Sequence, residues 1–176
     1  MAVTPAVFLD KDGTLVEDVP YNVDSARVRL GPGAEAAVRS LAAHGYRLIV
    51  VSNQGGVGLG RLRETDLVVL NGRLQRLLDG ALAGFYYCTH HPRAGCDCRK
   101  PRPGLIFRAA AEQRLDLARS WMIGDILDDV EAGRRAGCRT CLIDNGNETE
   151  WKRGAAREPH HVAADLAAAA AHIVGR

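Results

Sequence analysis

Short apolar segments alternate with longer helical patterns along the whole chain, and this alternation limits the possible folds most strongly. The predicted strands cover residues 6–9, 47–51, 85–87, 121–123 and 140–143, and the predicted helices cover 33–44, 64–79, 104–115, 128–136 and 163–174. Strands that are apolar throughout are buried on both faces, and helices between them provide parallel crossovers. The pattern predicts a single doubly wound, Rossmann-like α/β domain spanning residues 1–176, with a central parallel sheet. Residues 145–161 are polar and contain Gly and Pro, which predicts a surface loop.

Charge and hydrophobicity exclude several kinds of partner. The 23 basic and 21 acidic residues are scattered and give a net charge of +2, so no basic stripe indicates nucleic acid. The first residues lack the basic segment and cleavage site of a secretory signal, and no apolar run has the length of a membrane span. We therefore expect a cytoplasmic protein without membrane or nucleic-acid partners, and a monomer is the expected state.

Two carboxylates follow the first predicted strand at a position that is costly for charge. Asp10 and Asp12 are separated by one residue and precede Gly13, whose backbone can turn tightly. Asp10 can act as a nucleophile and metal ligand, and Asp12 can give a proton to a leaving oxygen and later take one from water. The alternative is that both acids only cap a loop.

Polar side chains also follow the second predicted strand and precede the third predicted helix. Ser52 stands before Asn53, Gln54 and Gly55, where a hydroxyl can hold a phosphoryl oxygen, although the same residues also form ordinary turns. Further on, Lys100 can neutralise charge shared by Asp10 and a phosphate.

Arg99, which directly precedes Lys100, can bind substrate through two hydrogen bonds, although basic pairs on loops are usually only solvated.

A third group of acids follows the fourth predicted strand and opens a helix. Carboxylate oxygens suit Mg²⁺, so Asp125 is the predicted second carboxylate on the ion, with Asp129 as a nearby outer acid. Asp128 is better explained as a first-turn acid that complements the helix dipole. Nucleophile, hydroxyl, cation and metal carboxylate thus follow one another past apolar segments, as phosphoryl transfer requires.

The segments DKDGT, VSNQGG, CRKP and GDILDD resemble motifs one to four of the haloacid dehalogenase (HAD) superfamily of phosphotransferases, and the resemblance covers nearly the whole chain. It implies a phosphatase that forms an aspartyl-phosphate on Asp10, with Asp12 as acid and base. Ser52 and Lys100 are implied to stabilise the phosphoryl group. The implied Mg²⁺ ligands are Asp10, Asp125 and the backbone carbonyl of Asp12.

A cluster of cysteine and histidine residues lies between the third strand and Lys100. Cys88, His90, Cys96 and Cys98 provide three thiolates and an imidazole, a set that satisfies tetrahedral Zn²⁺ without an open position. This predicts a structural zinc loop at residues 88–98, with His91 as the alternative imidazole. Free cysteines in a loop are the other interpretation. Cys138 and Cys141 are expected to pack as small hydrophobic residues.

The zinc-loop pattern resembles two groups within the superfamily, in subfamily IIIA, that carry such a loop and lack a large cap domain. These are the heptose bisphosphate phosphatases and the histidinol-phosphate phosphatases, and Pro101–Leu105 is more similar to the former. The resemblance implies hydrolysis of the C7 phosphate of D-glycero-D-manno-heptose 1,7-bisphosphate. The implied substrate contacts are the following: Asp18, Tyr21, Ser52, Asn53, Gln54, Gly55, Arg99 and Lys100.

Two alternative functions and two departures from the heptose enzymes remain at this point. Histidinol-phosphate is the second candidate substrate, and an inactive, zinc-stabilised binding module is the candidate from a different class. Pro20 and Gly55 stand where the heptose enzymes tend to have Gly and Ser, at positions that face the part of the substrate away from the reacting phosphate.

Overall fold

The computed structural model describes residues 3–175, which form a six-stranded sheet with helices on both faces. The strands are β1 (Ala6–Leu9), β2 (Arg47–Asn53), β3 (Leu82–Cys88), β4 (Trp121–Gly124), β5 (Arg139–Ile143) and β6 (His161–Ala163). Their order is β3-β2-β1-β4-β5-β6, and every neighbouring pair is parallel. The chain leaves β1 toward one edge and returns at β4 toward the other, so the predicted doubly wound α/β fold is confirmed.

Helices cover the two faces of this sheet unequally. They are α1 (Ala34–Ala43), α2 (Gly55–Gly58), α3 (Glu64–Leu77), α4 (Gly104–Gln113), α5 (Leu127–Arg135) and α6 (Leu166–Val174). Side chains of α1, α3 and α6 share one apolar cluster, and side chains of α4 and α5 share another on the opposite face. None of the helices within residues 3–175 combines the length and the hydrophobicity that crossing a membrane requires.

Alternating residues of the central strands supply the two cores. In β1, Val7 and Leu9 belong to the cluster with α1, α3 and α6, whereas Ala6 and Phe8 belong to the cluster with α4 and α5. All four side chains are fully buried. A strand with period-two geometry that is buried on both faces has no polar positions until it ends, which is why these segments are apolar throughout.

The C-terminal part departs from the expected pattern. Residues 161–163 were expected to span the end of a loop and the start of a helix, but they form β6, and the last helix begins only at Leu166. Asp165 fixes that start, because its Oδ1 accepts a hydrogen bond from the backbone N–H of Ala168 at 2.8 Å. β6 pairs only with β5, and Val162 is exposed, so this edge strand lacks the continuous apolar run of the inner strands.

Two helical glycines provide a test of how closely α5 packs on the sheet. A Cβ atom at Gly133 would lie 2.6 Å from Cβ of Met122 and 2.7 Å from Cγ2 of Thr140. We expect Gly133→Ala to lower the free energy of unfolding by about 1–3 kcal/mol through overpacking. At Gly72 in α3, an added Cβ atom would meet a side-chain nitrogen of Arg76 at 3.6 Å, which is ordinary van der Waals contact. Gly72→Ala should therefore raise the free energy of unfolding by about 0.5–1 kcal/mol. Urea unfolding followed by circular dichroism measures both, and changes of equal sign would contradict the packing argument.

Candidate active site

A buried acidic centre lies where the carboxyl ends of β1 and β4 meet. Carboxylate oxygens of Asp10, Asp125 and Asp129 all lie within 4.8 Å of one another. The Nζ atom of Lys100 is 2.5 Å from Oδ1 of Asp10 and 2.6 Å from Oδ1 of Asp129, and it donates a hydrogen bond to the carbonyl of Val51 at 3.0 Å. Because β1 and β4 are neighbours in the sheet, residues 115 positions apart reach the same point.

Burial and mutual repulsion shape the ionisation of this centre. Burial raises the pKa of Asp10 to about 7 even though Lys100 opposes the shift. Burial also raises the pKa of Asp125 to about 6, and the charge of Asp10 adds to the effect. Burial alone would lower the pKa of Lys100, but the charges of Asp10 and Asp129 outweigh it and hold this pKa above its ordinary value. The centre therefore holds three carboxylates beside one ammonium, which contacts two of them, and the excess negative charge and hard oxygen atoms fit a divalent ion such as Mg²⁺.

The turn after β1 approaches this centre closely. Gly13 has a φ of +82°, and a Cβ atom there would lie 2.1 Å from Oδ2 of Asp125 and 2.6 Å from Nδ2 of Asn147. Only glycine combines the left-handed backbone with the space that this approach leaves. The backbone around Asp12 is thereby brought against the Asp125 carboxylate, next to Asp10.

Two amide side chains at the end of β2, Asn53 and Gln54, connect the polar segments of the site to one another in space. Gln54 is buried, and its Nε2 donates to Oδ2 of Asp12 at 2.7 Å and to Oγ of Ser52 at 2.9 Å. Asn53 accepts from the backbone N–H of Lys100 at 3.0 Å and donates to its carbonyl at 3.1 Å. Asn53 therefore fixes the backbone that carries Lys100, and Gln54 fixes the orientation of Asp12.

A cleft of about 210 Å³ opens beside Asp12. The residues expected to contact substrate that line it are Asp18, Tyr21, Asn53, Gln54, Gly55 and Arg99. Ser52 and Lys100 are buried beneath it, next to Gln54 and Asp10 respectively. One terminal nitrogen of Arg99 is buried and has no hydrogen-bond partner within residues 3–175, so the cleft holds a cationic donor available to an anionic ligand.

The cysteine and histidine cluster forms at the start of the loop that leads to Arg99. One ligand atom from each of Cys88, His90, Cys96 and Cys98 lies within 4.8 Å of the other three. Sγ of Cys96 is 3.5 Å from both other sulfurs, and Nδ1 of His90 is 3.2 Å from Sγ of Cys98. Ligands of a tetrahedral zinc with bonds of about 2.3 Å are separated by roughly 3.8 Å, so the cluster fits a zinc site.

The alternative imidazole, His91, has a different contact. Its Nδ1 accepts a hydrogen bond from the backbone N–H of Arg93 at 3.1 Å, which leaves His90 as the imidazole of the cluster. Cys138 and Cys141 are buried in the two apolar clusters, as small hydrophobic residues are, and neither belongs to the group of four ligand residues.

Two residues of the centre have roles that the sequence pattern did not reveal. Asp129 was expected as an outer acid, but it is fully buried and contacts Lys100 directly. Gly124 permits this, because a Cβ atom there would lie 2.1 Å from Oδ2 of Asp129, and that glycine was the available signal. Asn147, in a segment to which no role was given, donates to Oδ2 of Asp125 at 2.6 Å. Asp128 lies outside the centre and pairs with Arg157 at 2.7 Å.

A doubly wound sheet with a buried carboxylate pair and lysine at its switch point defines the class of α/β phosphotransferases with an acidic nucleophile. The profile of the HAD-hydrolase-like family matches residues 97–169. The chain is 38% identical, over 79% of both lengths, to D-glycero-β-D-manno-heptose-1,7-bisphosphate 7-phosphatase of Salmonella typhi. It is 37% identical to the enzyme of that name from Escherichia coli K12, over 79% of this chain and 78% of the relative.

A solved structure gives the same result for the fold. D,D-heptose 1,7-bisphosphate phosphatase from B. bronchiseptica, complexed with magnesium and phosphate, superposes with a TM-score of 0.86 at 29% identity and covers 97% of this chain and 98% of its own. This chain therefore belongs to the HAD-like hydrolase family, and it is a phosphatase.

The repulsion within the acidic centre has a consequence for stability in magnesium-free buffer. Near pH 7 we expect Asp125→Asn to be more stable than the native protein by roughly 1–3 kcal/mol, because the variant removes a buried charge. The pKa of Asp125 is raised from 3.8 to about 6 on folding, so the native protein is penalised when this group ionises. The advantage of the variant should therefore shrink as the pH falls from 7 toward 4.

Thermal unfolding in magnesium-free buffer across this pH range measures the effect. Asp128→Asn is the matched control, because it removes a half-exposed ion pair with Arg157 and should leave stability equal or slightly lower. An Asp125→Asn protein that is less stable than native near pH 7 would show that the centre is not strained by its charges.

Proposed function

We propose that this protein hydrolyses the C7 phosphate of D-glycero-β-D-manno-heptose 1,7-bisphosphate through an aspartyl-phosphate on Asp10. The observation that carries the proposal is the convergence of Asp10, Lys100 and Asp125 at one point, in a chain 38% identical to a phosphatase of that substrate. The β form is taken from the names of the relatives. The monomeric state and the cytoplasmic location expected from the sequence are part of the same proposal.

In the first step, a carboxylate oxygen of Asp10 attacks the phosphorus and the bond to the C7 oxygen breaks. Asp12 gives its proton to that oxygen as it leaves, and Gln54 and Lys11 hold Asp12 in place through contacts of 2.7 and 2.5 Å. Lys100 and the hydroxyl of Ser52 bind the phosphoryl oxygens, over which the negative charge of the transferring group is spread.

In the second step, water attacks the phosphorus of the aspartyl-phosphate. Asp12, now a carboxylate, takes the proton of that water, and the bond between phosphorus and the Asp10 oxygen breaks to release inorganic phosphate. We assign Asp10, Asp125 and the backbone carbonyl of Asp12 as the residues that would hold Mg²⁺, which supplies positive charge to the phosphoryl oxygens when bound.

The remaining cleft residues would bind the sugar and its second phosphate. The unpaired nitrogen of Arg99 is suited to an anionic group, and Asp18, Tyr21 and the backbone at Gly55 are suited to sugar hydroxyls. The cleft holds cations and hydrogen-bonding groups along its length, as a doubly phosphorylated sugar requires.

Phosphate release from the heptose bisphosphate and from histidinol phosphate, with and without Mg²⁺, tests the proposal. We expect kcat/KM to favour the heptose compound by more than about tenfold and to require Mg²⁺. Asp10→Asn should lower turnover by at least about a thousandfold because the nucleophile is lost. Asp128→Asn, outside the centre, is the control that keeps activity. Faster turnover of histidinol phosphate would refute the assignment of the heptose bisphosphate as substrate. Undiminished turnover by Asp10→Asn would refute the assignment of Asp10 as nucleophile.

We also propose that Cys88, His90, Cys96 and Cys98 bind one structural Zn²⁺. Removing one ligand from a four-ligand site releases the metal, so Cys96→Ala should lose zinc and order in the loop, while native protein holds about one zinc per chain. Cys138→Ala, which changes a buried cysteine of the core, should keep its zinc. Elemental analysis of the purified proteins decides this, and native protein without zinc would defeat the assignment.

A further inference from the structure

The polar segment Asn145–Glu148, which follows β5, contacts both strand tips that carry the acidic centre. Asn145 donates from Nδ2 to the carbonyl of Gly13 at 2.8 Å. Asn147 donates from Nδ2 to Oδ2 of Asp125 at 2.6 Å. Glu148 accepts at Oε2 from the backbone N–H of Leu127, the first residue of α5, at 2.7 Å. The segment therefore contacts both the turn after β1 and the turn after β4, beside the acidic centre.

We propose that Asn147 is a positioning residue that orients the Asp125 carboxylate toward the magnesium ion. The inference rests on the magnesium site proposed above and goes beyond it, because Asn147 belongs to none of the four segments that carry the resemblance to the superfamily. It concerns the affinity for the ion rather than the chemical step.

The two carboxylate oxygens of Asp125 differ in how firmly they are hydrogen-bonded. Oδ2 accepts a hydrogen bond from the Asn147 amide at 2.6 Å, whereas Oδ1 accepts a longer one from the hydroxyl of Thr14 at 3.4 Å. A carboxylate that is fixed through one oxygen cannot rotate freely, so its other oxygen keeps one direction. Without the amide, Asp125 would be free to turn away from Asp10, whose charge repels it.

The side-chain amide of Asn147 that donates to Asp125 carries no charge. A lysine or arginine at this position would neutralise Asp125 and compete with a cation for it, whereas an amide stabilises the carboxylate and leaves the net charge of the centre unchanged. Lys100 contacts Asp10 and Asp129 at 2.5 and 2.6 Å. The side-chain hydrogen bonds to Asp125 within residues 3–175 come from the neutral groups of Asn147 and Thr14, which suits a carboxylate that binds an ion.

Asn147 is itself held in place by the hydrogen bonds of its neighbours. Asn147 donates its backbone N–H to Oδ1 of Asn145 at 3.1 Å, and Asn145 is bound to Gly13. On the other side, Glu148 accepts hydrogen bonds at Oε1 from the backbone N–H groups of Glu150 and Trp151, at 2.7 and 3.2 Å. Although the side chain of Asn147 lies at the surface, its backbone is therefore fixed at both ends.

The test is the affinity of full-length, zinc-loaded protein for Mg²⁺, measured by titration calorimetry without substrate. Removing a hydrogen-bond partner of a metal ligand typically weakens metal binding 10- to 100-fold, so we expect a loss of about that size in Asn147→Ala. In phosphate-release assays the Mg²⁺ concentration for half-maximal rate should rise by about the same factor, while kcat at saturating Mg²⁺ stays within about threefold of native.

The matched control is Thr149→Ala, an exposed residue just after the Asn145–Glu148 segment whose side chain makes no hydrogen bond within residues 3–175. Its Mg²⁺ affinity should equal that of native protein. Equal affinity of Asn147→Ala and native protein would overturn the inference. It would also be overturned by a fall in affinity that Thr149→Ala shares, or that accompanies loss of zinc or a lowered melting temperature in magnesium-free buffer, since these indicate a disordered segment. Native protein that binds no Mg²⁺ would instead refute the proposed magnesium site itself.

Discussion

The buried contact of Lys100 with two carboxylates is the interaction on which the rest of the site depends. The ammonium lies between Asp10 and Asp129, and its side chain is only 3% exposed. Breaking a buried pair by removing one partner costs several kcal/mol, because a charge is then left without compensation. The three groups come from the end of β1, the loop after β3 and helix α5, so one electrostatic requirement couples the folding of three distant parts of the chain.

The order of the strands explains why this contact forms where a substrate can reach it. β1 lies between β2 and β4, so the residues that follow these three strands meet at one edge, at the point where the connections diverge to the two sides of the sheet. The same arrangement forces Asp125 against Asp10 and leaves an excess of negative charge. This repulsion between Asp10 and Asp125 lowers stability. Its occurrence beside a cleft is typical of a functional site, where a bound cation would neutralise the excess charge.

The inner strands and the residues directly after them could be predicted because burial on both faces leaves a continuous apolar run that ends at a polar residue, as at Asp10 and Asp125. The edge strand β6 could not be predicted in this way, since Val162 is exposed and a strand of three residues is too short to show a hydrophobic period. Asp129 was predicted as an acid near the centre, but its direct contact with Lys100 depends on the packing of α5 against Gly124, which the sequence pattern does not show. Asn147 lies in a polar segment without periodicity, where hydrogen bonds to distant residues leave no pattern in the sequence.

The loop that delivers Arg99 and Lys100 shows how a segment without a core can still be held rigidly. None of residues 89–99 is buried, so hydrophobic packing contributes little to its stability. It is held at one end by the four-ligand cluster and at the other by the Lys100 ion pairs and the amide of Asn53. Between them, a Cβ atom at Gly58 would lie 2.1 Å from the backbone nitrogen of His91, so α2 also supports the loop. A zinc ion bound there as proposed would therefore help to fix the position of Arg99 at the cleft.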